Sequence, residues 1–177
     1  MVDQLCRCRL VFCLLALLSG AAAVVTAEQS PPETATFSMY CYWAGEATLG
    51  RVEGVVASRI GHWGGSEIVQ VDYDPELTNL SALVGALKEQ RSFYSLVASD
   101  GASIASAASV LSPSEISEFG GKPRFIESKY NLRRNHPEFL LLGLSEQQAM
   151  VLNSWSYFGG TMPEVLTLDQ QQRLSAQ

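Results

Sequence analysis

Residues 55–73 read VVASRIGHWGGSEIVQVDY and carry the clearest fold signal in the chain. The part from 55 to 62 is rich in β-branched and apolar residues, and the part from 67 to 73 alternates between apolar and polar side chains. Both patterns are typical of strands, and Gly64-Gly65 between them suits a hairpin connection. The stretch therefore predicts two antiparallel strands joined by a tight turn.

Compatible elements lie on either side of this hairpin. Residues 35–40 suit a short strand and residues 44–52 a short helix, while apolar residues recur at helical spacing from Leu80 to Leu87. Residues 93–98 suit a returning strand. The order β-α-β-β-α-β over residues 35–98 predicts an α+β fold of the ferredoxin-like type, a two-layer sandwich in which two helices cover one face of an antiparallel sheet.

Residues 99–177 are less periodic but contain two helix-start signals. Ser112-Pro113-Ser114-Glu115 and Ser145-Glu146-Gln147-Gln148 are capping boxes, and each is followed by a Gly-Gly pair that would end a helix. They predict two helices in a C-terminal extension packed on the core. A basic stretch from Lys122 to His136 is expected to be a solvated face, and the alternative is a surface that steers an acidic partner.

The N-terminus has the pattern of an export signal. Arg7 and Arg9 precede an apolar run, and Val25-Thr26-Ala27 offers the small residues that a signal peptidase recognises. We expect residues 1–27 to be a signal peptide that is cleaved, which would export the chain to the periplasm or out of the cell. The alternative is an uncleaved N-terminal membrane anchor. Residues 28–34 would be a flexible lead-in.

The chain left after such a cleavage limits the possible functions. Removing 27 of the 177 residues leaves 150, which suits one domain, and removing Asp3, Arg7 and Arg9 changes the net charge from −6 to −7. This charge argues against a nucleic acid or an anionic membrane as partner. We expect a monomer that acts on a small molecule or on another protein.

Cys41 would be the only cysteine left, because Cys6, Cys8 and Cys13 lie within the predicted signal. It stands at the predicted strand-to-helix junction, where unpaired backbone N–H groups and the positive end of the helix dipole favour a reactive thiolate. A lone thiol there indicates a reaction centre rather than a crosslink. The alternative is an inert cysteine packed in the core with its aromatic neighbours.

Glu67 is the second candidate for chemistry. On an alternating strand it shares a face with apolar residues, and a carboxyl on a buried face keeps its proton more readily and can donate it near neutral pH. The alternative is that Glu67, at the start of a strand, points to solvent. His62 and His136 are too few for a recognisable metal site, and no glycine loop of the phosphate-binding type is present.

Four segments resemble, in order, the motifs of the A-type methionine sulfoxide reductases. They are Cys41-Tyr42-Trp43, Val52-Glu53-Gly54-Val55-Val56, Gly61-His62-Trp63-Gly64-Gly65 and Ser66-Glu67-Ile68-Val69-Gln70-Val71-Asp72-Tyr73-Asp74-Pro75. The resemblance covers about residues 36–97 and implies a ferredoxin-like fold, in agreement with the element order.

The resemblance also implies a role for each candidate residue. Cys41 would attack the sulfoxide sulfur, Glu67 would protonate the sulfoxide oxygen, and Tyr42 with Trp43 would form an apolar pocket for the substrate methyl group. Methionine S-sulfoxide, free or in proteins, would leave as methionine, and Cys41 would become a sulfenic acid. No metal and no cofactor is implied.

The chain departs from the family pattern at several positions. Tyr40 and Ala44 replace glycines on either side of the Cys-Tyr-Trp segment. The short connection from Gly65 to Glu67 lacks a tyrosine that helps hold the sulfoxide oxygen in the family, and Gln90 replaces a second tyrosine. No resolving cysteine is present, so recycling would need an external thiol reductant, either a thioredoxin-like protein or a small thiol.

Two functions other than repair stay open on the sequence. One is a catalytically impaired relative that acts as a secreted peptide- or protein-binding module through its aromatic residues. The other is a thiol sensor that forms mixed disulfides through Cys41.

Overall fold

The structure is a computed structural model that describes residues 30–98 and 101–176. Within that part, the strands are β1 (Glu33–Met39), β2 (Val55–Trp63), β3 (Ser66–Tyr73), β4 (Phe93–Ala98), β5 (Ile116–Glu118) and β6 (Arg124–Ile126). The α-helices are α1 (Tyr42–Leu49), α2 (Leu80–Glu89), α3 (Gly101–Ala107), α4 (Tyr130–Asn135), α5 (Glu146–Phe158) and α6 (Leu168–Ser175). Two 3-10 turns span Pro113–Glu115 and Pro137–Leu142.

The predicted signal peptide lies outside the described residues. Of the helices in residues 30–98 and 101–176, none has the length and hydrophobicity needed to span a membrane.

The strands form one sheet in the order β5-β4-β1-β3-β2-β6. Every neighbouring pair is antiparallel except β4 and β5, which run parallel. The predicted α+β class is confirmed, because helices and strands follow the order β-α-β-β-α-β from Glu33 to Ala98. β1 begins at Glu33, two residues inside the segment predicted as a flexible lead-in.

The predicted hairpin joins β2 and β3. Gly64 and Gly65 lie between Trp63 and Ser66, with φ angles of 58° and 81°. Two successive positive φ angles define a type I′ turn, whose twist matches that of the paired strands. A Cβ on Gly64 would lie 2.7 Å from the Phe119 ring, so this glycine also admits the segment that leads into β6.

The main hydrophobic core lies between the sheet and helices α1 and α2. Phe37 on β1 lies opposite Val69 on β3 and Leu96 on β4, and all three are buried. Leu83 and Leu87 of α2 belong to the same cluster. Full burial of a large apolar side chain contributes about 1.5–3 kcal/mol, so this cluster is the main source of stability for the region that carries Cys41.

The C-terminal segment packs on this core through α5, which contacts α1 and β2. The Ser154 hydroxyl donates to the Ala47 carbonyl at 2.6 Å, and a Cβ on Gly50 would lie 2.5 Å from the Ser154 Oγ. The segment also has a small core of its own, formed by Leu132, Phe139, Leu142, Leu152 and Leu166. Helix α1 is therefore held between the sheet and α5.

The two capping boxes are followed by different structures. The box at Ser145 begins α5, which ends before Gly159, so that helix prediction is confirmed. The helix predicted after Ser112 is wrong, because the chain makes a single 3-10 turn and then enters β5. Pairing with β4 decides this outcome, and the Ser117 hydroxyl donates to the Ser95 Oγ at 2.8 Å. The predicted helical extension thus also supplies both edge strands of the sheet.

Candidate active site

Cys41 lies at the N-terminus of α1. It is the N-cap residue, with the extended backbone of that position (φ −149°, ψ 113°), and its carbonyl accepts the N–H of Gly45 at 3.0 Å. The residue is half-buried, and its side chain makes no capping hydrogen bond. The thiol therefore stands at a helix end whose N–H groups favour negative charge.

Glu67 lies beside the same helix end. It is the second residue of β3, paired with Met39 on β1 and with His62 on β2. Its Oε2 accepts the backbone N–H of Tyr42 at 2.8 Å, so the carboxyl caps the first turn of α1. The residue is half-buried rather than turned fully to solvent. The structure therefore brings Cys41 and Glu67 together.

The Tyr42 ring lies against Trp43 and His62. Both contacts are edge-to-face, with centroids 5.5 Å apart in each case. Burial is the main effect that raises the pKa of the Tyr42 phenol above its ordinary value, and the charges of Glu67 and Cys41 add to it. The phenol therefore keeps its proton at physiological pH, and the charges of Glu67 and Cys41 both act on it.

His62 and Arg124 extend this site across the sheet. Arg124 on β6 pairs with His62 on β2, which in turn pairs with Glu67 on β3. Directly paired residues of antiparallel strands share one face of the sheet. The positive charge of the Arg124 guanidinium acts against the upward shift of the Tyr42 pKa.

Gly61 allows β6 to approach β2, so that Arg124 can pair with His62. A Cβ on Gly61 would lie 2.4 Å from the Arg124 carbonyl oxygen, so no larger residue fits there without moving β6. The sequence does not single out Arg124 as a site residue, because only the long-range pairing of β6 with β2 brings it there.

Trp43 stacks on Tyr130, the first residue of α4. The ring centroids are 4.1 Å apart and the planes are 10° from parallel. Tyr130 is a second residue that the sequence does not predict, since it lies in a segment notable only for its basic charge. Together with Tyr42, these two rings form an aromatic wall beside Cys41.

The chemical groups that meet here are a thiol, a carboxyl, a protonated phenol and an aromatic wall. In the part of the chain that the structure describes, no group of three or more His, Cys, Asp or Glu side chains is placed to hold a metal ion. A thiol and a carboxyl at one helix end are groups that can act as nucleophile and proton donor.

Known proteins that match the chain are named as peptide methionine sulfoxide reductases. The chain is 31% identical over 77 residues to "Peptide methionine sulfoxide reductase MsrA 1" of Nostoc sp., in an alignment covering 34% of this chain and 47% of the relative. It is 33% identical over 64 residues to "Peptide methionine sulfoxide reductase" of Drosophila melanogaster, covering 29% of this chain and 26% of the relative. It is 35% identical over 78 residues to "Peptide methionine sulfoxide reductase A5" of Oryza sativa subsp. japonica, covering 37% and 29%.

These matches confirm the resemblance to the A-type methionine sulfoxide reductases. No family model matches the chain. The chain spans about half or less of the length of the curated relatives that it matches. The alternative of a non-catalytic secreted binding module gains no support from these matches.

Proposed function

We propose that the protein reduces methionine S-sulfoxide, free or within proteins, to methionine, with Cys41 as the nucleophile and Glu67 as the proton donor. The observation that carries this proposal is the meeting of the two residues at the N-terminus of α1, where the Glu67 carboxyl is held by the Tyr42 N–H at 2.8 Å. Similarity to proteins named as peptide methionine sulfoxide reductases supports it.

In the first half of the reaction, the Cys41 thiolate attacks the sulfoxide sulfur. Negative charge develops on the oxygen as the S–O bond weakens, and Glu67 supplies a proton to it. The oxygen ends on the Cys41 sulfur, so that a thiol and a sulfoxide give a sulfenic acid and a thioether. The methionine sulfur is reduced by two electrons and the Cys41 sulfur is oxidised by two.

The second half needs two thiols from outside the site, because Cys41 is the only cysteine among the described residues. One external thiol attacks the sulfenic acid, water leaves and a mixed disulfide forms; a second thiol then releases Cys41 and leaves as part of a disulfide. A thioredoxin-like protein or a small thiol would supply both. No other cofactor takes part in this proposal.

Tyr42 and Trp43 would form the wall against the substrate methyl group. Because burial raises the pKa of the Tyr42 phenol, its hydroxyl keeps its proton and can also donate to the sulfoxide oxygen. This donor would help to replace the tyrosine that the short connection between β2 and β3 lacks and the one that Gln90 replaces.

Three further points belong to this proposal. A ferredoxin-like sandwich over residues 33–98 is supported by the antiparallel order β4-β1-β3-β2.

Export through a cleaved signal of residues 1–27 is supported by the sequence pattern alone, and mass spectrometry of the secreted protein would show a new N-terminus. A monomer would elute from a sizing column at the mass of one chain.

The decisive experiment gives the purified protein a dithiol and each epimer of methionine sulfoxide. We expect turnover of the S epimer, none of the R epimer, and loss of turnover in Cys41→Ser. Without the dithiol, a sulfenic-acid trap should label Cys41 once substrate is added. Turnover by the folded serine variant would remove Cys41 from the mechanism, and no turnover by folded wild-type protein would overturn the proposal.

A further inference from the structure

A buried ion pair lies one helical turn behind the substrate wall. Glu46 of α1 is 1% exposed and Lys129, just before α4, is 5% exposed. The Glu46 Oε1 accepts from the Lys129 Nζ at 3.2 Å and from the Ser58 Oγ at 3.0 Å, and its Oε2 accepts the Lys129 backbone N–H at 2.9 Å. Buried charges are tolerated only when they are paired in this way.

Lys129 is held in an unusual conformation by these contacts. Its backbone is left-handed (φ 59°, ψ 39°), which is uncommon for a residue other than glycine. The Nζ also donates to the Ser58 carbonyl at 3.0 Å and pairs with Glu146 at the start of α5. The prediction that the basic stretch is a solvated face is therefore wrong for Lys129, which joins α1, β2 and α5.

The next residue along the chain is Tyr130, the ring that stacks on Trp43. Glu46 lies three residues after Trp43 on α1, so the two side chains share one face of the helix. The ion pair and the ring stack are thus adjacent contacts between the same two segments. Since Lys129 is fixed through both its backbone and its side chain, the position of the Tyr130 ring over the indole is fixed with it.

We propose that Tyr130 is a positioning residue for substrate binding, held in place by the Glu46–Lys129 pair. The proposal rests on the proposed function and adds a part that none of the matched motifs contains. Tyr130 covers one face of the Trp43 indole, and Tyr42 meets the same indole edge-on, so the ring is restrained from two sides. A wall ordered before the substrate arrives binds it without the entropy loss of ordering the ring.

The first test separates binding from chemistry with Tyr130→Ala. An apolar wall contacts substrate and transition state alike, so its disorder should raise KM by about tenfold while kcat changes much less. Tyr130→Phe keeps the ring and should restore most of the lost affinity. Tyr157→Ala, which removes an exposed tyrosine on α5, is the matched control and should behave as wild type. A fall in kcat with KM unchanged in Tyr130→Ala would show a merely structural role and overturn the proposal.

The ion pair is tested by removing both charges together in Glu46→Gln/Lys129→Met, because removal of the Lys129 charge alone would leave Glu46 buried without a charged partner. If the pair acts through Tyr130, the double variant should also raise KM, and adding Tyr130→Ala to it should raise KM little further. Fully additive effects would show that the pair does not act through Tyr130.

A readout without turnover keeps this inference separate from the proposed function. Fluorotryptophan labelling should give one ¹⁹F signal for each of the three tryptophans. The Trp43 signal should move in Tyr130→Ala but not in Tyr157→Ala, and a peptide with methionine S-sulfoxide should shift it in Cys41→Ser but much less in Cys41→Ser/Tyr130→Ala. Equal shifts in both backgrounds would overturn the role of Tyr130, whereas an inactive wild type with the expected shifts would overturn only the reductase chemistry.

Discussion

Residues 33–98 and residues 101–176 contribute to one site in different ways. The first region supplies the two residues of the proposed chemistry, Cys41 at a helix end and Glu67 on a central strand. The second supplies Tyr130, which stacks on Trp43, and Arg124, which pairs with His62. It also supplies Lys129, which we propose holds Tyr130 in place through its contacts with Glu46. The four motifs that resemble those of known reductases all lie in the first region. The comparison teaches that the second region completes an aromatic wall that the first region begins with Tyr42 and Trp43.

The sharpest test of this division is Glu67→Gln. The amide keeps an oxygen that can accept the Tyr42 N–H but loses the acidic proton, so we expect kcat for methionine S-sulfoxide to fall by about 10²–10⁴-fold. Stability should change little by thermal unfolding. Glu118→Gln, on the exposed edge strand β5, is the control and should keep its turnover. If Glu67→Gln kept kcat within a few-fold of wild type, the proton would have to come from another group.

The next test asks whether the two regions are one folding unit. Phe37→Ala opens the main core and Leu152→Ala opens the small C-terminal core, and both side chains are fully buried. We expect losses of about 3–5 and 2–5 kcal/mol in the free energy of unfolding, respectively. Because α5 is hydrogen-bonded to α1, each variant should still unfold in a single urea transition by circular dichroism and fluorescence. Two separate transitions in Leu152→Ala would show that the regions fold independently.

How far the fold is predictable depends on how local its signals are. The β2–β3 hairpin is predicted by the alternation of apolar and polar residues in β3 and by Gly64-Gly65. The helix after Cys41 is likewise predicted from its own local sequence. The two capping boxes show the limit, because Ser112 and Ser145 begin similar motifs with different outcomes. After Ser145, thirteen residues continue as α5. After Ser112, only a short segment precedes Gly120, and pairing with β4 turns it into a strand.

The site shows the same limit. Cys41 and Glu67 could be chosen from residue type and position, whereas the burial of Lys129 could not be predicted, because its partner Glu46 lies 83 residues earlier in the chain. A cluster of basic residues in sequence does not reveal which one is neutralised by a distant carboxylate.

A smaller effect is expected where the two regions touch at a glycine. Gly61→Ala would place a Cβ 2.4 Å from the Arg124 carbonyl oxygen, so β6 must shift. We expect a loss of about 1–3 kcal/mol in the free energy of unfolding, as for other overpacked sites. Gly85→Ala is the matched control, since a Cβ there meets nothing within 4 Å and lies in the middle of α2. It should stabilise the protein by about 0.5–1 kcal/mol. Destabilisation of similar size in both variants would contradict close packing as the cause.

The smallest expected effect comes from a pH-dependent ion pair that joins α2 to the residue before β5. Glu115 pairs with Lys88 at 2.5 Å and accepts the N–H of Ser112 at 3.0 Å and its hydroxyl at 2.7 Å. The Lys88 contact and these hydrogen bonds lower the Glu115 pKa from 4.5 to about 2. A folded-state pKa below that of the unfolded chain stabilises the protein above about pH 4.5, and this contribution is lost as the pH falls through 2.

Glu115→Gln should therefore be slightly less stable than wild type near neutral pH, with a difference that disappears on acidification from pH 4.5 to 2. Urea unfolding measured across that range gives the difference directly. Because the carboxylate lies near the surface, added salt should reduce the difference at neutral pH, whereas it should leave the penalty of Gly61→Ala largely unchanged. A difference independent of pH would mean that the capping geometry, rather than the charge on Glu115, holds β5 to the first region.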